Sequence, residues 1–534
     1  MPALLVRCVV CWFGLIAAVA SPSLLVAGEP ARDVLVYGAT PGGVTAAVAA
    51  ARRGASVVLI EPKRHVGGLT TSGLCNDESH HMHPWTITGI ALEFYQRLAA
   101  KYGRGDVRET WKARRMNTWE SKVAQQVFDE MLAEARVPVR FGLRVEQVEK
   151  DGARIVRVVL SDGGVESARV FVDCTYEGDL MARAGVAYTW GREAIDEFGE
   201  PLAGVRLNDQ RVAARTRDQR GELLPGISET IDRLDSGSGD RKVQNYNYRL
   251  TLTKRADLRV PFPEPKHYDP ARYALLANYL ADRPATRLKD IVAYHPIGAG
   301  KFEANNHQNA VISLGHFGGQ FDYPDADYTR RDRIEQDHID YTQGLFWFLL
   351  HDPAVPETLR RETAEWGLAK DEFADNGNWP YYLYIREARR LRGRYVVTQR
   401  DVQEDRTKED SVLLASHYID AHHVQRVAVS DTEFTNEGRL WVPGKVYEVP
   451  FRAFEPKPEE CENLLVPVCA SMTHVAFCTF RLEPTWMGAG HVAGAAAAMA
   501  ARKGVAVGRL DVAELRGQLR ADGLLTELDD QPAE

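Results

Sequence analysis

The strongest indication of the fold lies in residues 33–61. An apolar run, Asp33–Tyr37, precedes the glycine-rich turn Gly38–Gly43, and an alanine-rich segment then leads to a second apolar run that ends at Glu61. A strand, a glycine turn, a helix and a second strand within about 30 residues form a βαβ unit. Such a unit predicts a parallel sheet with helices packed against it, which places the chain in the α/β class.

The turn in this unit has the chemistry of a nucleotide site. Gly38 permits the tight turn, Gly43 lets the helix pack close to the strand, and the helix start offers free N–H groups to a pyrophosphate. Glu61 is placed to accept hydrogen bonds from a ribose diol. Thr40 stands at the second glycine position, where its hydroxyl is expected to bond a phosphate. The predicted dinucleotide-binding residues are Gly38, Thr40, Pro41, Gly42, Gly43 and Glu61.

Two alternatives stay open at this point. The turn can be purely structural, and its spacing alone does not distinguish NAD from FAD.

A second glycine-rich segment, Pro62–Gly73, follows the acid directly. It is not typical of nicotinamide-dependent dehydrogenases. It resembles the segment of FAD enzymes with the glutathione-reductase-like nucleotide fold, in which the acid binds the adenosine ribose and the glycine pair runs along the pyrophosphate and ribityl chain. The resemblance implies FAD as the cofactor, with contacts from Gly67, Gly68 and Leu69.

Later segments extend the resemblance. Val170–Leu180 is similar to the strand that ends near the adenine side of FAD, and Arg144–Val145 resembles the strand whose backbone contacts adenine. Tyr384–Asp401 and Glu462–Gly494 are similar to blocks of an often exported subfamily of FAD-dependent oxidoreductases, some of which are named xanthan-lyase-like. The resemblance implies further FAD contacts at Val145, Thr175, Asp179, Thr485, Gly488 and Gly490.

These segments imply an α/β protein with a three-layer FAD/NAD(P)-binding domain and an inserted α+β substrate domain. The two parts of the FAD-binding domain are expected at residues 33–180 and 460–505. A substrate or cap domain with helical segments is expected at 185–450, and a C-terminal helix and tail at 506–534.

Apolar periodicity predicts individual elements within this plan. Helices are expected at Ser121–Arg136, Arg333–Leu350 and Val512–Ala521, and a β-like run at Tyr246–Thr253.

Residues 1–28 are predicted to be a secretory signal peptide. Arg7 is the only charge before Glu29, and the apolar run Cys8–Ala20 is shorter than the roughly 20 residues that a membrane span needs. An uncleaved anchor is the alternative. The mature protein is therefore expected in the periplasm or outside the cell, with no membrane contact after cleavage.

Composition restricts the partners. Lys and Arg number 66 against 74 Asp and Glu, which gives a net charge of −8, and no long basic run occurs. Basic side chains that neutralise phosphates dominate affinity for nucleic acids, so we expect no nucleic-acid partner. The expected partner is a small-molecule substrate, and the sequence carries no indication of the oligomeric state.

Five cysteines follow the signal peptide, and their spacing is not that of a metal site, so no metal is predicted. Cys174, Cys469 and Cys478 fall within the segments assigned to the FAD-binding domain. This placement favours buried free thiols over a disulfide framework.

The predicted catalytic residues are His474 and Arg481, just before the helix that is expected to cap the flavin. We interpret His474 as a base and Arg481 as an anchor for the substrate or the flavin C2 carbonyl. The alternatives are a satisfied structural histidine and a surface ion pair.

Two polar groupings are candidate substrate contacts. The histidine-rich tract Ser79–His83 is expected to form a wall near the isoalloxazine, with metal binding or covalent flavin attachment as alternatives. A cluster around His307 and His316, together with Trp379–Tyr382, would suit a hydroxylated, sugar-like ligand.

The sequence therefore predicts an exported FAD-dependent oxidoreductase. It is expected to move a hydride from a C–OH or C–N centre of a small polar substrate to flavin N5. The alternative is a catalytically silent carbohydrate-binding protein that FAD stabilises.

Overall fold

A computed structural model describes residues 32–76, 78–112, 118–207 and 210–531. The predicted signal peptide lies outside these residues. Among the helices in the described ranges, none combines the length and the apolar character that crossing a bilayer requires.

The described α-helices vary from one turn to six turns in length. In chain order they are α1 Pro41–Arg52, α2 Gly89–Lys101, α3 Val107–Lys112, α4 Ser121–Glu134, α5 Asp179–Arg183, α6 Ile195–Phe198, α7 Ala274–Asp282, α8 Tyr328–His351, α9 Glu357–Ala364, α10 Gln399–Gln403, α11 His474–Phe480, α12 Glu483–Lys503 and α13 Val512–Ala521.

A five-stranded parallel sheet forms the centre of the nucleotide-binding part. Its strands, in spatial order, are β23 Leu464–Leu465, β7 Ala168–Asp173, β1 Arg32–Tyr37, β2 Val57–Glu61 and β3 Val139–Phe141. Residues far apart in the sequence thus pair within one sheet, because β23 joins the edge of β7.

This sheet is the middle layer of three. Val34 and Val36 of β1 pack on the side of α1 and α12, whereas Leu35 and Tyr37 pack in a second core on the opposite side. That alternation follows from the two-residue period of a strand. The second core lies under an antiparallel sheet of β4 Val145–Asp151, β5 Arg154–Leu160 and β6 Val165–Glu166. The predicted three-layer α/β class is confirmed.

Helices α1 and α12 cross closely because small residues line their interface. A Cβ on Gly490 would overlap the carbonyl oxygen of Gly42, and one on Gly494 would overlap that of Ala46. Thr45 Oγ1 also donates to Met487 O at 2.7 Å. The crossing holds the N termini of both helices beside the C-terminal edge of the parallel sheet.

The central part of the chain adds β-structure and helices, as expected of an α+β insertion. One sheet has the order β12 Arg259–Val260, β15 Gly367–Ala369, β11 Leu250–Thr253, β14 Lys301–Asn306 and β13 Val292–Gly298. A second has β10 Glu229–Thr230, β19 Gln425–Ser430, β20 Glu433–Glu437 and β9 Val212–Ala213. The remaining pairs are β16 Arg390–Leu391 with β8 Tyr188–Thr189, β17 Ser411–Ala415 with β22 Tyr447–Pro450, and β18 Ile419–Ala421 with β21 Leu440–Val442.

The predicted elements agree with the structure in type and differ at some ends. The predicted helix Val512–Ala521 matches α13, whereas the run expected at Tyr246–Thr253 forms a strand only over Leu250–Thr253. The helix expected at Arg333–Leu350 begins earlier, at Tyr328, because the Asp327 carboxylate caps it by accepting from Arg330 N at 2.7 Å.

Candidate functional site

Glu61, the predicted ribose acid, lies at the C-terminal end of β2 and lines a pocket. Its carboxylate accepts hydrogen bonds from Ala39 N and Lys63 N, both at 2.6 Å, and from the hydroxyl of Tyr382. Burial raises the pKa of Glu61 even though these donors oppose the shift. Tyr382 therefore engages an oxygen of the carboxylate that is predicted to bind a ribose diol.

The pocket around Glu61 brings several predicted cofactor residues together. It is lined by Gly38, Thr40, Glu61, Thr175 and Asp179, and the start of α8 closes it. Arg331 of α8 donates to Asp179 at 2.7 Å, and Lys63 Nζ lies 2.5 Å from Glu335. Elements of both the nucleotide-binding part and the inserted part thus form one pocket.

Thr40 has a different role from the one predicted. Its hydroxyl donates to Cys174 O at 2.7 Å and accepts from Gly43 N at 3.2 Å, so it caps α1 and ties the turn to the end of β7. The hydroxyl hydrogen is already used, which argues against the expected bond to a phosphate. Pro41 has no N–H, whereas the Gly42 N–H lies in the first turn, where a helix provides no backbone acceptor.

The first glycine turn meets the geometric expectations. Gly38 has a φ of +93°, and a Cβ there would lie 2.7 Å from Thr175 N. A Cβ on Gly43 would overlap Gly38 O. Both positions therefore require glycine, one for its backbone conformation and one for close packing.

The second glycine-rich loop packs directly on the first. Gly67 N donates to Ala39 O at 2.7 Å, and the short 3-10 helix Gly68–Thr71 follows. Tyr176, after β7, covers this loop: its hydroxyl accepts from Leu69 N at 3.0 Å and donates to Glu483 at 3.0 Å. Tyr176 thereby connects the loop to the start of α12.

Val145, the predicted adenine contact, has both of its backbone groups engaged by tyrosines. Its N–H donates to the Tyr37 hydroxyl at 3.1 Å, and its carbonyl accepts from the Tyr328 hydroxyl at 3.0 Å. A backbone contact to adenine at Val145 stays a prediction that would require these hydroxyls to move.

The start of α12 offers polar atoms that lack protein partners. Thr485 Oγ1 and Trp486 Nε1 are buried without a hydrogen bond, as is Thr70 Oγ1 in the second glycine-rich loop. Gly490 instead faces α1, and a Cβ on Gly488 would lie 2.7 Å from Leu413. Both glycines therefore have packing roles, and FAD contacts there stay predictions.

His474, the predicted base, lies in a buried ion-pair cluster. Its Nδ1 donates to Glu387 at 2.8 Å, and Glu387 also pairs with Arg390, which donates to Glu193 at 2.7 Å. Burial alone would lower the pKa of His474, but the Glu387 charge raises it to about 10. His474 is therefore protonated at neutral pH, which argues against its predicted role as a base.

Arg481, the predicted anchor, is held by Asp420. Its Nη2 donates to the Asp420 carbonyl at 2.6 Å and to the carboxylate at 2.9 Å. Asp420 also pairs with Arg439. The guanidinium is nevertheless fixed two residues before α12, where the flavin pyrimidine is expected.

The structure also assembles a buried cluster of arginine, histidine and tyrosine side chains, of which the sequence indicated only Arg481 as a catalytic residue. Arg249 and Arg386 lie against the Tyr384 ring, with guanidinium carbons 4.7 and 4.4 Å from its centroid. His422 is close enough for Arg386, Arg439, Arg481 and Arg249 to lower its pKa further, after burial as the main cause. We call the set Arg249, Tyr384, Arg386, His417, His422 and Arg481 the arginine chamber.

His417 completes this chamber as a base candidate. It is fully buried, and its Nδ1 lies 3.0 Å from Tyr418 O, so Nδ1 must carry the hydrogen. Its Nε2 therefore has a free lone pair and no partner. Burial lowers the pKa of His417, which keeps the ring neutral at pH 7.

The two polar groupings from the sequence are only partly at this site. His81 packs 5.3 Å from Tyr418 and 5.2 Å from Trp441, measured between ring centroids, so the histidine-rich tract borders the chamber. Gln308 Nε2 lies 2.6 Å from His422 Nδ1, but His316 is paired elsewhere, with Asp337.

One acidic group in the described part of the chain has the geometry of a metal site. Glu120, Asp371 and Glu372 converge, but Lys301 Nζ lies among them, 2.6 Å from Glu372 and 3.1 Å from Asp371. The lysine supplies the positive charge there. All five described cysteines are buried free thiols, which agrees with the expectation from the sequence.

With this geometry in place, comparison with known proteins identifies the class. The chain belongs to the FAD dependent oxidoreductase family, which it matches over residues 33–519. Its cofactor is accordingly FAD.

A match to a similar protein covers only part of each chain. The chain is 26% identical over 211 residues to a menaquinone reductase of Mycolicibacterium smegmatis, a match that covers 36% of this chain and 50% of that protein. It thus spans about half the length of that relative.

Solved structures align over limited regions. The Diels-Alderase PyrE3 of pyrroindomycin biosynthesis is 12% identical, with 51% of this chain and 45% of that chain covered and a TM-score of 0.26. The L-proline dehydrogenase from P. horikoshii is 15% identical, with 36% and 63% covered and a TM-score of 0.22. The family assignment does not rest on these structures.

The residues present suit FAD. The buried, unpaired atoms of Thr70, Thr485 and Trp486 need hydrogen-bond partners, which the ribityl hydroxyls and ring carbonyls of a flavin can provide. Glu61 and the Gly42 N–H have the chemistry for the ribose and the pyrophosphate. When bound, FAD supplies an acceptor for a hydride.

Proposed function

We propose that this protein is an exported oxidoreductase that oxidises a small polar, hydroxylated substrate at a C–OH or C–N centre, with a hydride passing to N5 of FAD. Family membership and the cofactor support the redox role, and the arginine chamber supports the polar substrate.

The observation that carries this proposal is His417. Removing a hydride from a C–OH or C–N centre yields C=O or C=N only if the O–H or N–H proton also leaves. The His417 Nε2 lone pair is buried and unpartnered, and the ring is near enough to Arg481, two residues before α12, to feel its charge. His417 therefore accepts the proton while Tyr418 O orients its ring.

The positive groups around the chamber assist the same reaction. Arg481 and the N terminus of α12 place positive potential where negative charge would develop on a reduced ring. For the oxidative half-reaction, oxygen and a quinone are the acceptors to compare, the latter because the partial relative is named a menaquinone reductase.

Anaerobic titration of the FAD-loaded protein tests the proposal. Sugars, sugar acids, hydroxy acids and amines are added in turn while flavin absorbance is followed. Bleaching by at least one compound supports the redox role. Compounds that raise the melting temperature without any bleaching would instead support the silent carbohydrate-binding alternative.

A matched pair of variants tests the base. His417→Gln is expected to slow flavin reduction by about a hundredfold or more without loss of FAD. His338→Gln is the control, because His338 is also buried, its Nδ1 lies 2.8 Å from Ile334 O, and its Nε2 has no partner. Equal rates for both variants would contradict the role of His417.

A further inference from the structure

Arg386 is a buried cation that forms no ion pair with a described residue. Its side chain is 1% exposed, its Nε donates to Asn245 O at 2.9 Å, and its Nη2 donates to Asn247 Oδ1 at 2.6 Å. Its Nη1 has no hydrogen-bond partner, and no carboxylate in the described ranges forms an ion pair with it. Buried arginines are otherwise almost always paired.

Arg249 offers a second unused donor beside it. Its Nη1 donates to Glu303, but its Nε is buried without a partner. Arg249 and Arg386 both lie against the Tyr384 ring, and the charge of Arg249 helps to lower the pKa of Arg386, so the two guanidinium groups are near one another. Two N–H groups on neighbouring guanidinium ions match the two oxygens of a carboxylate.

The charge balance of the region favours an anionic ligand. The guanidinium groups of Arg249, Arg386, Arg439 and Arg481 number four. The nearby carboxylates of the described residues, Glu78, Glu303 and Asp420, number three. Burial raises the pKa of Glu303 to about 7, so at neutral pH one to two positive charges are left over, which suits an anionic ligand.

Burial makes the unpaired cation costly in the free protein. Burial, together with the positive charges of the nearby Arg249 and Arg481, lowers the pKa of Arg386 to about 9. An anionic ligand would relieve this cost, and a neutral one would not.

We propose that Arg386 and Arg249 bind a carboxylate of the substrate, so that the compound oxidised is an organic acid such as a hydroxy acid or a sugar acid. The assignment rests on the proposed function, and it defines the substrate class of that same site. Arg481 is near enough to act electrostatically on both Arg386 and His417, so the carboxylate would be held in the neighbourhood of the base.

Binding to the FAD-loaded protein tests this without turnover. Glycolate, lactate and gluconate are compared with their amides and with inorganic phosphate, by perturbation of flavin absorbance and by melting temperature. We expect saturable binding of at least one carboxylate and none of its amide. Equal binding of the amide, or tighter binding of phosphate than of every carboxylate, would overturn the assignment.

Variants then locate the site. Arg386→Gln is expected to lower the affinity for the tightest-binding carboxylate by about tenfold to a hundredfold, since the lost hydrogen bond is charge-assisted. Arg386→Lys keeps the charge, loses the fork geometry and should fall between Gln and wild type. Unchanged affinity in both variants would refute the role of Arg386.

Arg426→Gln is the matched control. Arg426 is also buried without a carboxylate partner, but its three nitrogens donate to Asn436 Oδ1, Gly226 O and Val311 O. Each of its nitrogens therefore already has a partner, and its replacement should leave carboxylate affinity within about twofold of wild type. Equal weakening by Arg426→Gln would show that the effect is general destabilisation and would count against the site.

The outcomes separate this inference from the proposed function. Carboxylate binding that depends on Arg386, with no flavin reduction by any compound, would support the anion site and refute the redox role. Flavin reduction by neutral sugars alone, with no carboxylate binding, would support the redox role and refute the anion site.

Discussion

Replacing Glu387 with glutamine is expected to destabilise the fold in a pH-dependent way. The Glu387 side chain is fully buried and accepts from His474, Arg390 and Gln244. Burial would raise its pKa, but the charges of His474 and Arg390 hold it at about 2. Glu387→Gln leaves two buried cations with one fewer counterion, a change that costs about 3–5 kcal/mol in comparable pairs.

The pH dependence comes from His474. Its pKa is raised from 6.5 to about 10 in the folded protein, so the stability it contributes is complete below pH 6.5 and is lost as pH rises toward 10. The Glu387→Gln variant lacks the negative charge that raises the pKa of His474. The difference in unfolding free energy between wild type and variant should therefore shrink by about 3 kcal/mol between pH 6.5 and about pH 9.

Urea unfolding of both proteins, saturated with FAD at each pH, measures this difference. Glu437→Gln is the control, because it breaks the buried pair with Arg192, which contains no histidine. The loss in unfolding free energy caused by Glu437→Gln should stay constant over the same pH range. A Glu387→Gln cost that is equally constant would refute the interpretation of His474 as a buried imidazolium.

Three further outcomes follow from the packing. None of the five described cysteines should react with a thiol reagent under native conditions, and all five should react in denaturant without reductant; a reduced count would indicate a disulfide. Gly490→Ala should destabilise by about 1–3 kcal/mol, whereas Gly517→Ala, in open space on α13, should stabilise by up to about 1 kcal/mol, and thermal unfolding that gave both the same sign would contradict the helix crossing. Tyr382→Phe should bind FAD about threefold tighter or more, because the Tyr382 hydroxyl no longer competes for Glu61, and weaker binding in a fluorescence titration would argue against that competition.

The nucleotide-binding part was the most predictable region from the sequence. Its cues are local: alternating apolar residues in β1 and β2, glycines at fixed spacing and an acid at the end of β2. Local cues also placed α13. They did not locate the start of α8. Its first turn is charged and lacks the apolar periodicity of a helix, although Asp327 caps it.

The arginine chamber could not be predicted in the same way. Arg249, Arg386, His417 and Arg481 lie in four separate loop segments, and no spacing along the chain connects them. Conversely, His474 had a suitable position for a base, but its chemistry is set by Glu387, which is 87 residues away and contacts it only in the fold. Protonation state and pairing are tertiary properties, and they decide which polar residues are available for chemistry.

The affinity of the purified protein for FAD tests the central claim most directly. Equilibrium dialysis would compare wild type with Glu61→Ala and with Glu455→Ala, a control that removes a carboxylate of similar burial, paired with Arg394. The account predicts about tenfold or weaker binding for Glu61→Ala and binding within about twofold of wild type for Glu455→Ala. Unchanged FAD affinity in Glu61→Ala would contradict the assignment of the β1–α1–β2 unit as the site that holds the adenosine ribose.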